Sequence, residues 1–427
     1  MLESLLNQYF PTIKRQNNPT RKIILTLFLL LLFRFGNTIP LSGIDQEALK
    51  KSFLQLESRN SIMQIINMYS GGGGATLLSP FSLGIIPFIN ASILVDLLTA
   101  LFPSLEKLQS EEGEAGRKKL LFYKKILTLL FSIVQSGFLI FYLKAYFYNT
   151  EIFNFILVGL ELVTGSMLIV WLSNIIDTKG IGNGTSLIIF TNIVVTLISK
   201  NLLVNQQFDT VLGFEILFLL FLMVLICISQ TARINIDVVS ARQLAYLENI
   251  EKTSINQKVT STLETKDSGN GLSIRLNQAG IFPIIIASNL IPFFSFFFQS
   301  LNLGNDFKIL NNIIYYLLII GFNYFYTIVF WDPEKISEQL RKASVSVVNV
   351  TPGRETISYL ENVVRSTSLI GGISLCVILF LYDFFKQIIN GYLLNQINIS
   401  SLIILVGVAY EVQKTIRALY KNVLEIQ

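Results

Sequence analysis

The chain lacks histidine entirely, and it contains only two cysteines. Without histidine, the commonest general base and the commonest metal ligand of proteins are both missing. Cys227 and Cys376 lie in separate apolar segments far apart along the chain, so we interpret them as small core residues rather than a redox or metal-binding pair. We therefore predict that the protein is not an enzyme and that it binds no metal and no cofactor.

Charge is also scarce. Charged residues make up 14% of the 427 residues, whereas soluble globular domains carry about 25%. Hydrophobic residues make up 52% of the chain, and the mean hydropathy is +0.57. This composition predicts a polytopic membrane protein.

Ten apolar stretches are long enough to cross a bilayer as helices, at about 20 residues per crossing. They cover residues 23–41, 78–102, 122–147, 152–176, 184–204, 211–229, 278–300, 309–331, 368–388 and 400–418. The fold class that follows is an all-α polytopic membrane protein with ten transmembrane helices. Most basic residues lie in connections that share a side with the N-terminus, which predicts both termini on the cis side, cytoplasmic or stromal.

Two of the cis-side connections, residues 230–277 and 332–367, are long and hydrophilic. Long loops on one face of a protein commonly carry function. Their basic residues have two interpretations: they bind anionic lipid headgroups, or they dock a partner on the cis side.

Between the first two predicted spans, the segment Ile62–Tyr69 is too short to cross a bilayer, and the glycines Gly71–Gly74 follow it. A nucleotide-binding loop would continue with Gly-Lys-Ser or Gly-Lys-Thr, whereas Ala75–Leu77 follows here. A short helix beside a flexible glycine run predicts a movable element inside a membrane pathway.

Three spans carry helix-breaking motifs, at residues 84–93, 179–186 and 277–285. Each motif combines glycine or proline with small polar residues. Such residues are tolerated in membrane helices where neighbouring groups or water satisfy the freed backbone. The motifs therefore predict helices that line a cavity, and kinked helices that only pack against their neighbours are the alternative.

These three motifs, in this order, resemble the SecY family, the channel subunit of the Sec protein translocon. The resemblance extends over about residues 20–420 and includes Phe33–Asp45, Asn67–Gly72, Glu112–Lys118, Phe325–Thr327 and Pro352-Gly353. It implies two pseudo-symmetric five-helix halves around a pore. Here they would be residues 1–204 with helices 1–5 and a plug at about 62–75, and residues 205–427 with helices 6–10 and both long cis-side loops.

The resemblance also implies the residues of each functional part. The pore ring falls on Ile85, Ile89, Ile181, Thr185, Ile285 and Ile404. The plug falls on Ile62, Ile65, Ile66, Met68, Gly71 and Gly72. The lateral gate, formed by the second, third, seventh and eighth helices, includes Asp96 and Asn277. The loops that face a motor or ribosome carry Arg233, Arg242 and Arg354.

Three positions depart from the family pattern. Thr185 replaces an aliphatic ring residue, and its hydroxyl either bonds a carbonyl of the preceding turn or makes the seal wetter. Asp96 replaces a glutamine that is common in the gate helix, and we expect it to tune how easily the gate opens. Thr351 stands where an arginine usually precedes Pro-Gly; Arg354 either substitutes for that arginine or is a solvated surface charge.

The function implied is a protein-conducting channel subunit that passes unfolded polypeptides across the membrane and releases hydrophobic segments laterally into lipid. The alternative is a secondary transporter of a small solute, a class that shares inverted repeats and broken helices. An aliphatic constriction offers no convergent ligands for a solute, which favours the channel.

Several partners are implied. They are a SecE-like small subunit with a SecG-like subunit as a second candidate, a SecA-type motor ATPase and/or a ribosome, translocating polypeptides and membrane lipids. No nucleic acid is expected beyond ribosomal RNA. The Ile-, Asn- and Lys-rich usage favours a plastid-encoded protein of the thylakoid membrane, and the bacterial inner membrane is the alternative.

Overall fold

The computed structural model describes residues 19–49, 78–110, 112–149, 151–202, 210–240, 271–300, 306–348, 350–389, 394 and 399–424. The predicted plug residues Ile62, Ile65, Ile66, Met68, Gly71 and Gly72 lie outside the described residues, as does Arg242. The chain divides into two compact units, Met1–Gln206 with Val408–Gln427, and Gln207–Gly407. The pseudo-symmetric halves at 1–204 and 205–427 stay a prediction.

The first unit is helical. Its helices are α1 (Pro19–Gly36), α2 (Ile86–Leu101), α3 (Pro103–Ser110), α4 (Gly113–Leu143), α5 (Ile152–Lys179) and α6 (Gly184–Leu202). Short 3-10 turns at Pro80–Leu83 and Lys144–Tyr146 precede α2 and follow α4. The segment after α1 is fixed by apolar burial, because Leu41 and Ile44 pack in one cluster with Leu143 and Leu162.

The second unit contains helices and a small sheet. Its helices are α7 (Thr210–Thr231), α8 (Phe282–Ser300), α9 (Asp306–Phe330), α10 (Pro333–Lys342) and α11 (Arg354–Ile389). The last helix, α12 (Ile399–Leu424), begins in the second unit and ends in the first. The start of α10 shows a local sequence cause: the Asp332 carboxylate accepts the amide N–H groups of Glu334 and Lys335, and Pro333 occupies the first turn.

Each of the ten predicted spans coincides with one of these helices. Within the described ranges, seven helical segments are long and apolar enough to cross a membrane by length and composition. They involve α2, α4, α5, α7, α9, α11 and α12. The other three predicted spans coincide with α1, α6 and α8. The helices agree with the predicted polytopic membrane protein.

The two long connections predicted to lie on the cis side meet in a three-stranded antiparallel sheet that the sequence did not predict. Its strands are β1 (Arg233–Ser240), β2 (Gly271–Arg275) and β3 (Val345–Val347), in the order β2-β1-β3. β1 pairs Ile236 with Leu272 of β2 and Val238 with Val347 of β3. Ile236, Ile274, Val347 and Leu360 form a buried cluster beneath it. Residues of both loops therefore pack in the same buried apolar cluster.

Candidate functional site

Each helix-breaking motif contains a glycine in the left-handed region. The φ angles are 59° at Gly84, 76° at Gly182 and 61° at Gly280. A side chain at such a φ would clash with the backbone, so glycine is the residue that fits there. The helices α2, α6 and α8 begin at Ile86, Gly184 and Phe282, directly after these turns. All three motifs therefore place a backbone break at the start of a helix, and the cavity-lining role of these helices stays a prediction.

The aliphatic ring positions of the first unit are buried. Ile85 and Ile89 are each 3% exposed, and Ile181 is 5% exposed. The Ile85 carbonyl accepts the amide N–H of Ile89 at 3.1 Å, so Ile85, the N-cap residue, and Ile89 enclose the first turn of α2. The amide N–H of Ile181 donates to Thr26 Oγ1 of α1 at 3.0 Å. By contrast, Leu160 on the outer face of α5 is 61% exposed, as a lipid-facing side chain is.

Thr185 bonds a neighbouring helix rather than its own preceding turn. Its Oγ1 lies 3.2 Å from Ser173 Oγ of α5. The close approach depends on Gly184, because a Cβ at that position would collide with the Ser173 carbonyl. The amide N–H of Thr185 donates to Asn183 Oδ1 at 3.0 Å, which caps α6. The Thr185 hydroxyl therefore takes part in a hydrogen bond between α5 and α6 of the same unit.

The second unit buries its two ring positions as well. Ile285 lies in the first turn of α8 and is 9% exposed, and Ile404 lies in the second turn of α12 and is 8% exposed. The amide N–H of Ile285 donates to the carbonyl of Ile281 at 3.2 Å, which ties the ring position to the helix start after Gly280. Each unit therefore contributes buried aliphatic side chains at the predicted ring positions.

The two predicted gate residues each have contacts inside their own unit. The Asp96 carboxylate of α2 forms an ion pair with Lys124 Nζ of α4 at 2.8 Å, and Ser92 Oγ lies 3.5 Å from its other oxygen. Both charged side chains are largely withdrawn from the surface. Asn277 is buried, and its side-chain amide donates to the Gly280 carbonyl at 3.0 Å. The sequence did not predict Lys124 as the ion-pair partner of Asp96.

The two ends of the segment that contains the predicted plug are bound to each other. The Leu41 amide donates to the Leu78 carbonyl at 2.8 Å. The Gln46 side chain donates to the same carbonyl at 3.2 Å and accepts the Leu78 amide at 2.9 Å. The Glu161 carboxylate of α5 accepts the Ser42 amide at 3.2 Å and the Ser42 hydroxyl. These contacts give residues 41–46 and 78 a fixed position on the first unit.

The basic residues of the cis-side loops lie in different settings. Arg233 is the first residue of β1, in register with Arg275 of β2. Arg354 is exposed in the first turn of α11, and it forms no ion pair with any residue in the described ranges. Thr351 has a structural role: its hydroxyl donates to Glu355 Oε2 at 2.6 Å and its carbonyl accepts the Thr356 hydroxyl at 2.8 Å.

Metal-binding chemistry has no candidate in the part of the chain that the structure describes. No group of three or more Cys, Asp or Glu side chains there is arranged to hold an ion. Both cysteines are free thiols.

Comparisons with known proteins agree on one family. The family model for SecY matches residues 79–413. The protein translocase subunit SecY of Pyropia yezoensis is 38% identical over 417 residues, covering 93% of this chain and 95% of that one. A structure described as showing that the plug domain of SecY stabilises the closed state of the translocation channel and maintains a membrane seal aligns with a TM-score of 0.60 at 14% identity, covering 96% of this chain and 94% of that one. Sec61 in a canine ribosome-channel complex from the endoplasmic reticulum aligns with a TM-score of 0.56 at 14% identity, over the same shares.

Proposed function

The chain belongs to the SecY family, and on that premise we propose that its buried aliphatic ring positions form the seal of a protein-conducting pore. The chain is the channel subunit of a protein translocase and a multi-pass membrane protein. The predicted division into pseudo-symmetric halves and the roles of individual residues belong to the proposal.

The observation that carries the proposal is the burial of every isoleucine of the predicted ring. All five isoleucines of the predicted ring are at most 9% exposed. Elsewhere in the chain large apolar side chains are widely exposed, for example Leu217 of α7 at 67% and Ile370 of α11 at 51%. Membrane proteins expose apolar side chains to lipid, so burial of this set marks positions that face protein or a narrow pathway rather than the bilayer.

Branched aliphatic side chains suit a seal that must also yield. A narrow apolar constriction loses its water and so blocks ions at rest. It holds no fixed hydrogen bonds to a passing polypeptide, so it widens around different sequences at similar cost. A sufficiently apolar segment then gains free energy by leaving sideways into hydrocarbon as a helix, whereas a polar segment continues across.

Energy for transport comes from outside the chain in this proposal. The sequence holds no nucleotide-binding motif, so the subunit acts as a passive conduit without a catalytic step of its own. We propose that a motor ATPase or a ribosome engages the cis-side loops through Arg233, Arg242 and Arg354. A SecE-like subunit, with a SecG-like one as second candidate, would complete the complex in a thylakoid or bacterial membrane with both termini on the cis side.

Site-specific crosslinking tests the proposal. A photoreactive amino acid is placed at Ile89 or Ile285, with Leu160 as the lipid-facing control, and a secretory chain is stalled in transit. We expect crosslinks to the stalled chain from Ile89 and Ile285 and crosslinks to lipid from Leu160. Lipid crosslinks from all three positions would contradict the proposal. Saturable uptake of a small solute without polypeptide crosslinks would favour the transporter alternative.

A further inference from the structure

One tyrosine hydroxyl joins three helices of the second unit. Tyr315 OH of α9 lies 3.2 Å from Ser288 Oγ of α8 and 2.9 Å from Ser400 Oγ of α12. Ser400 is 8% exposed, and the three hydroxyls are spaced for two hydrogen bonds in a row. In the hydrocarbon region such groups have no water to bond, so the bonds between helices are retained.

The two serines lie one helical turn from the two ring positions of this unit. Ser288 follows Ile285 by three residues in α8, and Ser400 precedes Ile404 by four residues in α12. Residues three and four apart share one face of a helix. In the predicted topology α8 runs from cis to trans and α12 runs back, so both serines lie on the trans side of their isoleucines. The Tyr315 hydroxyl therefore bonds α8 and α12 at the same depth, one turn to the trans side of Ile285 and Ile404.

We propose that Tyr315 is a positioning residue that fixes Ile285 and Ile404 relative to each other and so sets the second unit's share of the resting seal. This inference rests on the proposed function. Without the Tyr315 hydroxyl, the helix starts that carry the two isoleucines lose their shared tie. Small relative shifts of α8 and α12 then open gaps between side chains whose closeness excludes water.

The adjacent tyrosine provides a matched control. Tyr316 OH donates to Asp383 Oδ2 of α11 at 2.9 Å, so it also forms a bond between helices. Its partner lies on α11, which carries no predicted ring residue. Removing the Tyr316 hydroxyl therefore also costs the fold a hydrogen bond between helices, but it leaves α8 and α12 joined through Tyr315.

The experiment measures resting ion conductance of the full chain, purified with its translocon partners and reconstituted in liposomes. We expect Tyr315→Phe to raise the resting conductance by roughly three- to tenfold, the population change expected for losing such hydrogen bonds. We expect Tyr316→Phe to leave the conductance within about twofold of wild type. Equal conductance in the two variants, whether raised or unchanged, would overturn the proposal.

The partner serines give a second line of evidence, which also decides the matter if Tyr315→Phe fails to assemble. Ser400→Ala should raise the resting conductance. Ser400→Thr, which keeps the hydroxyl, should leave the resting conductance at the wild-type level. The Tyr315→Phe/Ser400→Ala double variant should leak no more than the leakier single variant, because both remove one shared contact. Additive increases in the resting conductance would show that Tyr315 and Ser400 do not act through one shared hydrogen bond.

Failure of this inference is distinguishable from failure of the proposed function. If crosslinking from Ile285 captures a stalled chain but neither Tyr315→Phe nor Ser400→Ala changes the leak, the pore assignment holds and the positioning role is wrong. If Ile285 crosslinks only to lipid, the ring assignment itself is wrong.

Discussion

The surroundings of the predicted ring and the cis-side surface hold their polar groups in opposite ways. Near the predicted ring positions, Thr185 is bonded to Ser173 and Tyr315 lies between two serines, and about two turns after Ile89 in α2, Asp96 is paired with Lys124. On the loops that we predict to lie on the cis side, Arg354 is exposed, and pairs such as Lys342 with Glu338 are exposed to solvent. The difference fits the proposed function, in which contacts between helices hold the resting seal and exposed charge on the loops meets a partner.

The largest effect should come from breaking the Asp96–Lys124 pair. Lys124→Met leaves the carboxylate in a largely desolvated place with Ser92 as its remaining partner. We expect a loss of about 2 kcal/mol in the free energy of unfolding, between the values for exposed and for fully buried pairs. Chemical denaturation in mixed micelles measures it. The control is Lys118→Met, which breaks a solvent-exposed pair with Glu114 and should leave the free energy of unfolding essentially unchanged. Equal losses would remove the distinction between interior and surface.

The next effect tests the surface. Arg354→Glu should lower motor-stimulated translocation about tenfold, because a like charge would face the partner's docking groups. The resting ion leak should stay at the wild-type level. Lys342→Glu, at another exposed cis-side cation, serves as the control and should change neither quantity. If Arg354→Glu leaves motor-stimulated translocation intact, Arg354 is a solvated charge and the loop assignment is wrong.

Thr351→Ala separates a structural hydrogen bond from partner binding. It removes the hydroxyl that donates to the Glu355 carboxylate and should lower the free energy of unfolding by about 1 kcal/mol, with translocation per folded channel unchanged. Thr178→Ala, whose exposed hydroxyl only bonds back to its own helix, should cost less than about 0.5 kcal/mol. A loss of motor stimulation in Thr351→Ala, at normal stability, would assign the docking role to Thr351 instead.

The smallest effect concerns the polar member of the ring. Thr185→Ile replaces a hydroxyl bonded to Ser173 with an aliphatic group, and the Ser173 hydroxyl is then able to bond a carbonyl of its own helix. We expect the resting leak of reconstituted channels to fall about threefold, a change of roughly 0.7 kcal/mol. Thr191→Ile, further along α6, is the control and should leave the leak unchanged. An unchanged or higher leak in Thr185→Ile would show that threonine is not the weak point of the seal.

Local chemistry explains what the sequence predicted well. Apolar run length located the helices that coincide with the ten predicted spans, and Gly84, Gly182 and Gly280 marked the breaks because only glycine takes the left-handed conformation without strain. The family, and with it the channel function, followed from the order of these motifs. Each of these signals is contained in a short stretch of sequence, so no knowledge of distant contacts was required.

Contacts between distant segments explain what the sequence missed. β1 pairs with β3, about one hundred residues later, and β3 is only three residues long. The sequence placed Asp96 in the gate helix but gave no sign that Lys124 would pair with it, because the contact depends on how α2 packs on α4. The hydrogen bonds of Tyr315 likewise depend on how α8, α9 and α12 are positioned along one another, which sequence periodicity does not predict.

The most direct test of the aliphatic seal is a comparison of resting ion conductance between buried and exposed apolar positions. Ile285→Asn and Ile404→Asn place an amide at ring positions, whereas Ile370→Asn places the same amide at an exposed position of α11. A hydrated amide inside the constriction should raise the conductance several-fold at Ile285 and Ile404 and leave it unchanged at Ile370. Equal conductance in all three variants would contradict a seal made by these isoleucines.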